Sequence, residues 1–126
     1  MGALWSIENP QGSYCFLYAP IRDLSLLPEV SDVHFDQCMF GLRPPGIDVP
    51  AGQRVRKSTT IRSNVAGFSQ LARRCDRLHP HTWALGSTQI GSTKVSRAAA
   101  AGCYPPDLCR TMAGLVWTPS SKPVGA

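Results

Sequence analysis

Short hydrophobic stretches alternate along the chain with loops rich in Gly and Pro. Residues 3–7 are mostly apolar and predict a short buried strand. Residues 32–38 alternate between polar and apolar side chains, and residues 55–63 are rich in β-branched and charged side chains, so both segments predict strands. The intervening residues 43–53 form a loop rich in Pro and Gly, so we expect the two strands to pair antiparallel.

Helices are predicted in three other places. Residues 14–28 are largely apolar and predict a helix somewhere in this span that is interrupted or restarted near Pro20 and ends at Pro28. Residues 65–74 predict a short helix, and Pro105–Pro106 should begin a helix that runs to about Leu115. Residues 77–96 show no clear periodicity. Among the aromatic residues, we expect these to belong to the core: Trp5, Phe16, Phe35 and Phe40.

Length and composition fit one small, loop-rich α/β domain. The chain has 126 residues, of which 11 are Gly and 11 are Pro. We expect one domain over residues 1–117 and a disordered tail over 118–126. No apolar stretch resembles a membrane span or a secretory signal, so we expect no membrane partner. An odd count of five irregularly spaced cysteines predicts reduced thiols and an intracellular location, nucleus or cytoplasm.

The positive charge is concentrated in one segment. The net charge is +5, and seven basic residues lie between Arg54 and Arg77 with only Asp76 opposing them. Such a segment favours an acidic partner such as nucleic acid, although a solvated basic loop is an equal alternative. Trp83 follows this segment, beside His79 and His81, and is the aromatic residue that we consider for stacking on a base.

Cys75, His79 and His81 are spaced closely enough to act as zinc ligands. A fourth ligand would have to come from elsewhere, with Cys38, Cys103 and Cys109 as the choices. The spacing matches no common zinc finger, and a metal-free loop is therefore the favoured interpretation. We assign no metal from the sequence.

Glu8 is the best candidate for a chemical role. The first predicted strand ends on Glu8-Asn9-Pro10, and in open α/β sheets ligands bind at the carboxyl ends of strands. The alternative is that Glu8 caps the following helix or faces solvent.

The order of these segments resembles the later part of the cytosine-5 DNA methyltransferase catalytic domain, in its divergent phage and mobile-element forms. The matching segments are Ile7–Pro10, Asp36–Gly41, Lys57–Asn64, Cys75–His81, Gly86–Ser92 and Pro105–Cys109. The resemblance implies the second half of a Rossmann-like methyltransferase sheet. It implies that Glu8, with Asn9, hydrogen-bonds a flipped cytosine. It also implies base or phosphate contacts from Arg54, Arg56, Lys57, Thr59 and Arg62, for which the alternative is an edge strand protected by charge.

The departures from this family limit what we expect of the chain. The family binds S-adenosylmethionine with a Gly-rich loop and attacks cytosine with a Pro-Cys cysteine, and both precede the Glu-Asn segment. This sequence has no matching residues, and Ser58 stands where relatives often carry Pro. We therefore expect no catalysis and no S-adenosylmethionine binding by the chain alone, and a separate amino-terminal half as a partner. The alternatives are a non-catalytic basic module of a mobile-element protein that binds nucleic acid, DNA rather than RNA, or a decayed reading frame.

Overall fold

A three-stranded antiparallel sheet is the centre of the molecule. The computed structural model describes residues 2–46 and 49–121, with side chains up to residue 117. Strands β1 (Ser6–Pro10), β2 (Ser31–Asp36) and β3 (Ser58–Ser63) lie in the order β1-β3-β2, and both ladders are antiparallel. The predicted mixed α/β class and the antiparallel pairing of the two strands around the loop are confirmed.

The remaining elements are short. A separate hairpin consists of β4 (Ser87–Ile90) and β5 (Thr93–Ser96). The α-helices are α1 (Ala19–Asp23), α2 (Arg97–Ala100) and α3 (Pro106–Ser121). Single turns of 3-10 helix complete the fold at Tyr14–Leu17, Leu24–Leu26, Gln37–Phe40 and Ala66–Leu71.

Strand β1 lies further along the chain than its apolar residues indicate. The prediction placed the strand at 3–7 with Glu8 after its end, whereas Glu8 is the middle residue of β1. The ladder with β3 decides the position, because it runs from Ser6 opposite Ser63 to Pro10 opposite Thr59. Pro10 is compatible with this position since β1 is an edge strand of the sheet. The parallel neighbours that a Rossmann-like arrangement would give this strand are not found in this sheet, where both ladders are antiparallel.

One face of the sheet is covered by α3 and the 3-10 turn Ala66–Leu71. Val33 and Ile61 are directly paired, and directly paired residues point to the same face. They pack with Leu108 of α3 in a cluster whose other buried members are Phe35, Phe40, Val65, Phe68 and Leu71. The Phe35 and Phe40 rings meet edge to face with centroids 5.5 Å apart, as predicted for core aromatics. Trp5 and Phe16, also predicted as core, are half-buried.

Helix α3 confirms the predicted start at Pro106 but extends to Ser121. The predicted disordered tail therefore begins inside this helix, and residues 122–126 lie outside the described part of the chain. Within 14–28 a helix restarts near Pro20 as predicted, since Pro20 lies in the first turn of α1, which is flanked by two 3-10 turns. None of the helices in the described ranges is long and apolar enough to cross a membrane.

Candidate functional site

Four potential metal ligands converge beside the carboxyl end of β2. Cys38 lies in the 3-10 turn that follows β2, and Cys75, His79 and His81 lie in the loop before β4. One ligand atom from each residue lies within 4.8 Å of all the others. Cys75 Sγ is 3.6 Å from His79 Nε2 and 3.5 Å from His81 Nε2. Among the three cysteines proposed from the sequence as a fourth ligand, the structure selects Cys38, while Cys103 and Cys109 are exposed and outside the cluster.

The buried carboxylate of Asp36 docks the loop that carries three of these ligands. Its Oδ2 accepts a hydrogen bond from the Cys75 amide at 2.8 Å, and its Oδ1 accepts one from Ser58 Oγ at 2.5 Å. The Asp36 amide also donates to the Arg73 carbonyl at 2.9 Å. Burial acts to raise the pKa of Asp36, but the two accepted hydrogen bonds and the nearby charges of Arg56 and Arg74 outweigh it and lower the pKa. Asp36 thus remains an anion that ties the loop to the end of the sheet.

Arg54 forms hydrogen bonds with both chain segments that carry the cluster, the one around His81 and the turn that contains Cys38. Its backbone forms an isolated parallel bridge with His81, through Arg54 N to Pro80 O and Thr82 N to Arg54 O, both 2.9 Å. Its guanidinium Nη1 donates to the Cys38 carbonyl at 3.0 Å. Arg54 thus bonds to both segments that carry the cluster, and its predicted nucleic-acid contact stays a prediction.

The histidine rings are oriented so that Nε2 of each faces the Cys75 sulfur. His79 Nδ1 lies 3.5 Å from Asp76 Oδ1, and the two rings meet at 88° with centroids 4.8 Å apart. Burial, with the positive charges of His79 and Arg56, lowers the pKa of His81. Burial and the contact with Cys75 raise the pKa of Cys38 to about 12. The surroundings therefore favour a neutral imidazole at His81 and a neutral thiol at Cys38 in the metal-free cluster.

Two adjoining concavities share Arg56, Arg77 and the cluster residue Cys75, and His79 and His81 also line the second of them. One, of about 670 Å³, contains Arg56, Arg74 and Arg77 together with the turn at Gln11–Gly12. We call these three arginines the basic surface. The other, of about 610 Å³, is lined by Arg56, Arg77 and the ring of Trp83, which is 73% exposed. An arginine-lined hollow therefore adjoins an exposed indole.

Three of the residues predicted to contact nucleic acid have partners inside the protein. The Thr59 side chain is fully buried and accepts a hydrogen bond from Gln37. Lys57 Nζ donates to the Ala101 carbonyl at 2.9 Å. The Arg62 side chain is 9% exposed and forms an ion pair with Asp32. Of the predicted set, Arg56 alone lies on the basic surface, and the predicted nucleic-acid contacts themselves stay predictions.

The residues that complete the basic surface were visible in the sequence but not selected. Arg74 and Arg77 belong to the same basic segment as Arg56, yet they follow the strand on which the resemblance concentrated. Trp83 stood out because it follows two histidines. Only the docking of the loop against Asp36 brings these side chains next to Arg56.

Glu8 and Asn9, the predicted catalytic residues, have different surroundings. Glu8 is opposite Ile61 on the core side of the sheet, is half-buried, and lies close to Tyr104. Its Oε1 is buried without a hydrogen-bond partner among the described residues. Burial, followed by the negative charge and hydrogen bond of Glu8, raises the pKa of Tyr104. Asn9 instead supports the next turn, since its Oδ1 accepts from Ser13 Oγ at 3.1 Å.

Comparison of the chain with protein-family models, curated proteins and solved structures gave no match.

Proposed function

We propose that this chain binds nucleic acid through the basic surface and Trp83. The observation that carries the proposal is the convergence of Arg56, Arg74 and Arg77 on one open hollow. No acidic side chain is among the described residues that line this hollow. The nearby Asp36 is fully buried, and its oxygens already accept hydrogen bonds from Ser58 and the Cys75 amide.

Arginine is well suited to a phosphate because its planar guanidinium can donate two parallel hydrogen bonds. Arg56 and Arg74 are each 47% exposed at the side chain while approaching Asp36 at 3.4 and 3.6 Å. The buried carboxylate therefore orients both arginines without removing them from solvent. Arg77 is exposed and has no such anchor among the described ion pairs.

The adjoining hollow supports a single-stranded rather than a duplex ligand. Trp83 shares this hollow with Arg56 and Arg77, so a base stacked on the indole would have its phosphates within reach of the arginines. Stacking of this kind needs an unpaired base, and DNA is the expected polymer. Leu85, which is 72% exposed in the same hollow, adds apolar surface beside the indole.

Fluorescence anisotropy with a labelled single-stranded oligonucleotide, measured over a range of salt concentrations, tests the proposal. Arg77→Gln should make the log–log salt dependence shallower by about 0.7, the value for one phosphate contact on a single strand. Arg77 is the preferred position because replacing Arg56 or Arg74 also disturbs the surroundings of Asp36. Arg43→Gln is the matched control, since Arg43 is exposed and lines neither hollow.

A second pair of variants separates stacking from charge. Trp83→Ala should weaken single-strand binding roughly tenfold and leave duplex binding almost unchanged, because stacking contributes about 1–3 kcal/mol per base. Trp117→Ala is the control, since Trp117 is 71% exposed but lies on α3. Binding that does not respond to salt, or that responds equally to both tryptophan changes, would refute the proposed surface.

We propose as a second function that Glu8 is the cytosine-facing carboxylate of a methyltransferase-like protein, as the resemblance implies. Its support is the Glu8 oxygen that is buried without a partner among the described residues. An unpaired buried acceptor is unfavourable by itself, and a ligand that donates a hydrogen bond to it would remove that cost.

Labelled S-adenosylmethionine and DNA test this second function. The chain alone should transfer no methyl group, since its sequence has no counterpart of the family's Gly-rich loop or Pro-Cys cysteine. With an amino-terminal methyltransferase half supplied in trans, label should enter the DNA, and Glu8→Gln should slow transfer by about 100-fold. Transfer by the chain alone, or transfer unaffected by Glu8→Gln, would contradict the assignment.

A further inference from the structure

We infer that Cys38, Cys75, His79 and His81 form a tetrahedral zinc site. The inference goes beyond nucleic-acid binding and does not depend on it. It rests on the positions of the four ligand atoms, the chemistry of the donor set and the groups that surround them.

The distances match those that a zinc ion imposes on its ligands. With zinc–sulfur bonds of about 2.3 Å and zinc–nitrogen bonds of about 2.0–2.1 Å, tetrahedral geometry separates a sulfur from a nitrogen by about 3.5 Å. The two sulfur–nitrogen distances from Cys75 are 3.6 Å to His79 and 3.5 Å to His81. All four ligand atoms lie within 4.8 Å of one another, so a small movement of the widest pair completes the tetrahedron.

The donor set selects zinc over the other common divalent ions. Two thiols and two imidazoles suit zinc, whereas magnesium and calcium prefer oxygen ligands. Binding would release the thiol protons, and the two thiolates would then balance the charge of the ion. Because all four ligands are protein side chains, the site is closed and structural rather than catalytic.

The groups around the ligands resemble those that orient the ligands of known metal sites. The Asp76 carboxylate lies 3.5 Å from His79 Nδ1, which leaves Nε2 to face the metal. The Arg77 amide donates to Cys75 Sγ at 3.3 Å, an arrangement that also suits a thiolate. At Cys38, Arg54 Nη1 donates a hydrogen bond to the backbone carbonyl at 3.0 Å.

The proposed site joins two distant parts of the chain. Cys38 is anchored in the core turn after β2, while the other three ligands belong to the loop that also presents Arg74, Arg77 and Trp83. A metal at this position would cross-link the loop to the sheet. Binding of the ion to the folded site alone would add its binding free energy to the stability of the fold.

Zinc content and cobalt substitution of the full chain, purified with reductant, test the site. We expect one zinc per chain, and the intense visible absorption of tetrahedral Co²⁺ with thiolate charge-transfer bands when cobalt replaces it. Cys75→Ser and His79→Gln should each weaken zinc binding by about 100-fold or more, since even outer-shell changes cost 10–100-fold. Cys103→Ser and Cys109→Ser are the matched controls, because both thiols are exposed and outside the cluster, and neither should change zinc affinity.

X-ray absorption on the zinc-loaded wild-type chain keeps the test decisive if a ligand variant fails to fold. Two sulfur and two nitrogen neighbours at about 2.3 and 2.0 Å would support the site. The inference is overturned by a shell of oxygen or of more than two sulfurs, or by equal loss of zinc in the Cys103→Ser control. A Cys38–Cys75 disulfide with no bound zinc in the reductant-treated chain would also overturn it.

Discussion

Arg62 forms a two-bond ion pair with Asp32 across the β2–β3 ladder, through Nε to Oδ1 at 2.8 Å and Nη2 to Oδ2 at 2.9 Å. The same guanidinium donates from Nη1 to the Ile21 carbonyl at 2.9 Å and lies 5.0 Å above the Phe16 ring. Arg62 therefore connects the sheet to the segment around α1. These bonds account for the burial of Arg62, whose predicted nucleic-acid contact stays a prediction.

Asp32→Asn should lower the free energy of unfolding by about 2 kcal/mol at neutral pH, because it leaves a largely buried guanidinium without its anion. The hydrogen bond and charge of Arg62, with a smaller effect of His34, lower the pKa of Asp32 from 3.8. This contribution is therefore present above the unfolded pKa and is lost as pH falls through the folded pKa. Urea unfolding at several pH values should show the stabilities of the wild type and Asp32→Asn converging as the pH falls below 3.8.

Asp23→Asn is the control for that experiment. Its ion pair with Arg22 is exposed, with side chains 55% and 60% accessible, so the change should matter little. A gap between wild type and Asp32→Asn that persists unchanged in acid would show that the ion pair is not its source.

Replacing two glycines by alanine should change the free energy of unfolding in opposite directions. Gly114 lies inside α3, and a Cβ added there meets no atom within 4 Å. Gly114→Ala should raise the free energy of unfolding by roughly 0.5–1 kcal/mol, because alanine restricts the unfolded chain and favours the helix. At Gly67 an added Cβ would lie 3.3 Å from the Leu115 carbonyl oxygen, so Gly67→Ala should lower stability. Thermal unfolding of both variants measures the pair, and a gain at Gly67 would contradict the close packing of this turn on α3.

The sequence predicted those parts of the fold whose signal is local. Alternation over 32–38 located β2, and Pro106 marked the start of α3. The β4–β5 hairpin escaped prediction because its strands are mostly polar and largely exposed, leaving no apolar alternation to detect. Strand β1 was displaced because its position depends on pairing with β3, some 50 residues away.

The candidate metal centre could also be predicted only in part from the sequence. The spacing of Cys75, His79 and His81 is visible in the sequence, but it matches no familiar finger. The fourth ligand could not be chosen among three cysteines, since the choice depends on how the loop docks against Asp36 at the end of β2. Long-range docking of this kind carries no short-range sequence signal.

Zinc should protect the loop from trypsin. The Arg77–Leu78 bond is exposed and lies between two proposed ligands, Cys75 and His79. Trypsin cleaves a folded loop only when it opens locally, and a metal that binds both sides opposes that opening. Mass spectrometry should show cleavage after Arg77 slowing roughly tenfold with zinc and recovering with chelator.

Cleavage after Lys94 in the β4–β5 hairpin is the internal control, because this site is exposed and remote in sequence from the ligands. Its rate should not respond to zinc. Equal slowing at both sites would indicate inhibition of the protease rather than protection of the loop.

Replacing Tyr104 and replacing Glu8 should have different effects on the free energy of unfolding. Tyr104→Phe removes the hydroxyl near Glu8 and leaves the half-buried carboxylate with one polar neighbour fewer, so the free energy of unfolding should fall by about 1 kcal/mol. Glu8→Gln removes the charge while its amide oxygen can still accept from Tyr104, so stability should be unchanged or should rise by up to about 1 kcal/mol. Chemical denaturation of the single variants and the double variant measures both effects and their coupling. If the half-buried Glu8 carboxylate is dispensable for folding, a role in binding a ligand is supported. If Glu8→Gln instead lowers the free energy of unfolding by more than about 2 kcal/mol, Glu8 is a structural residue.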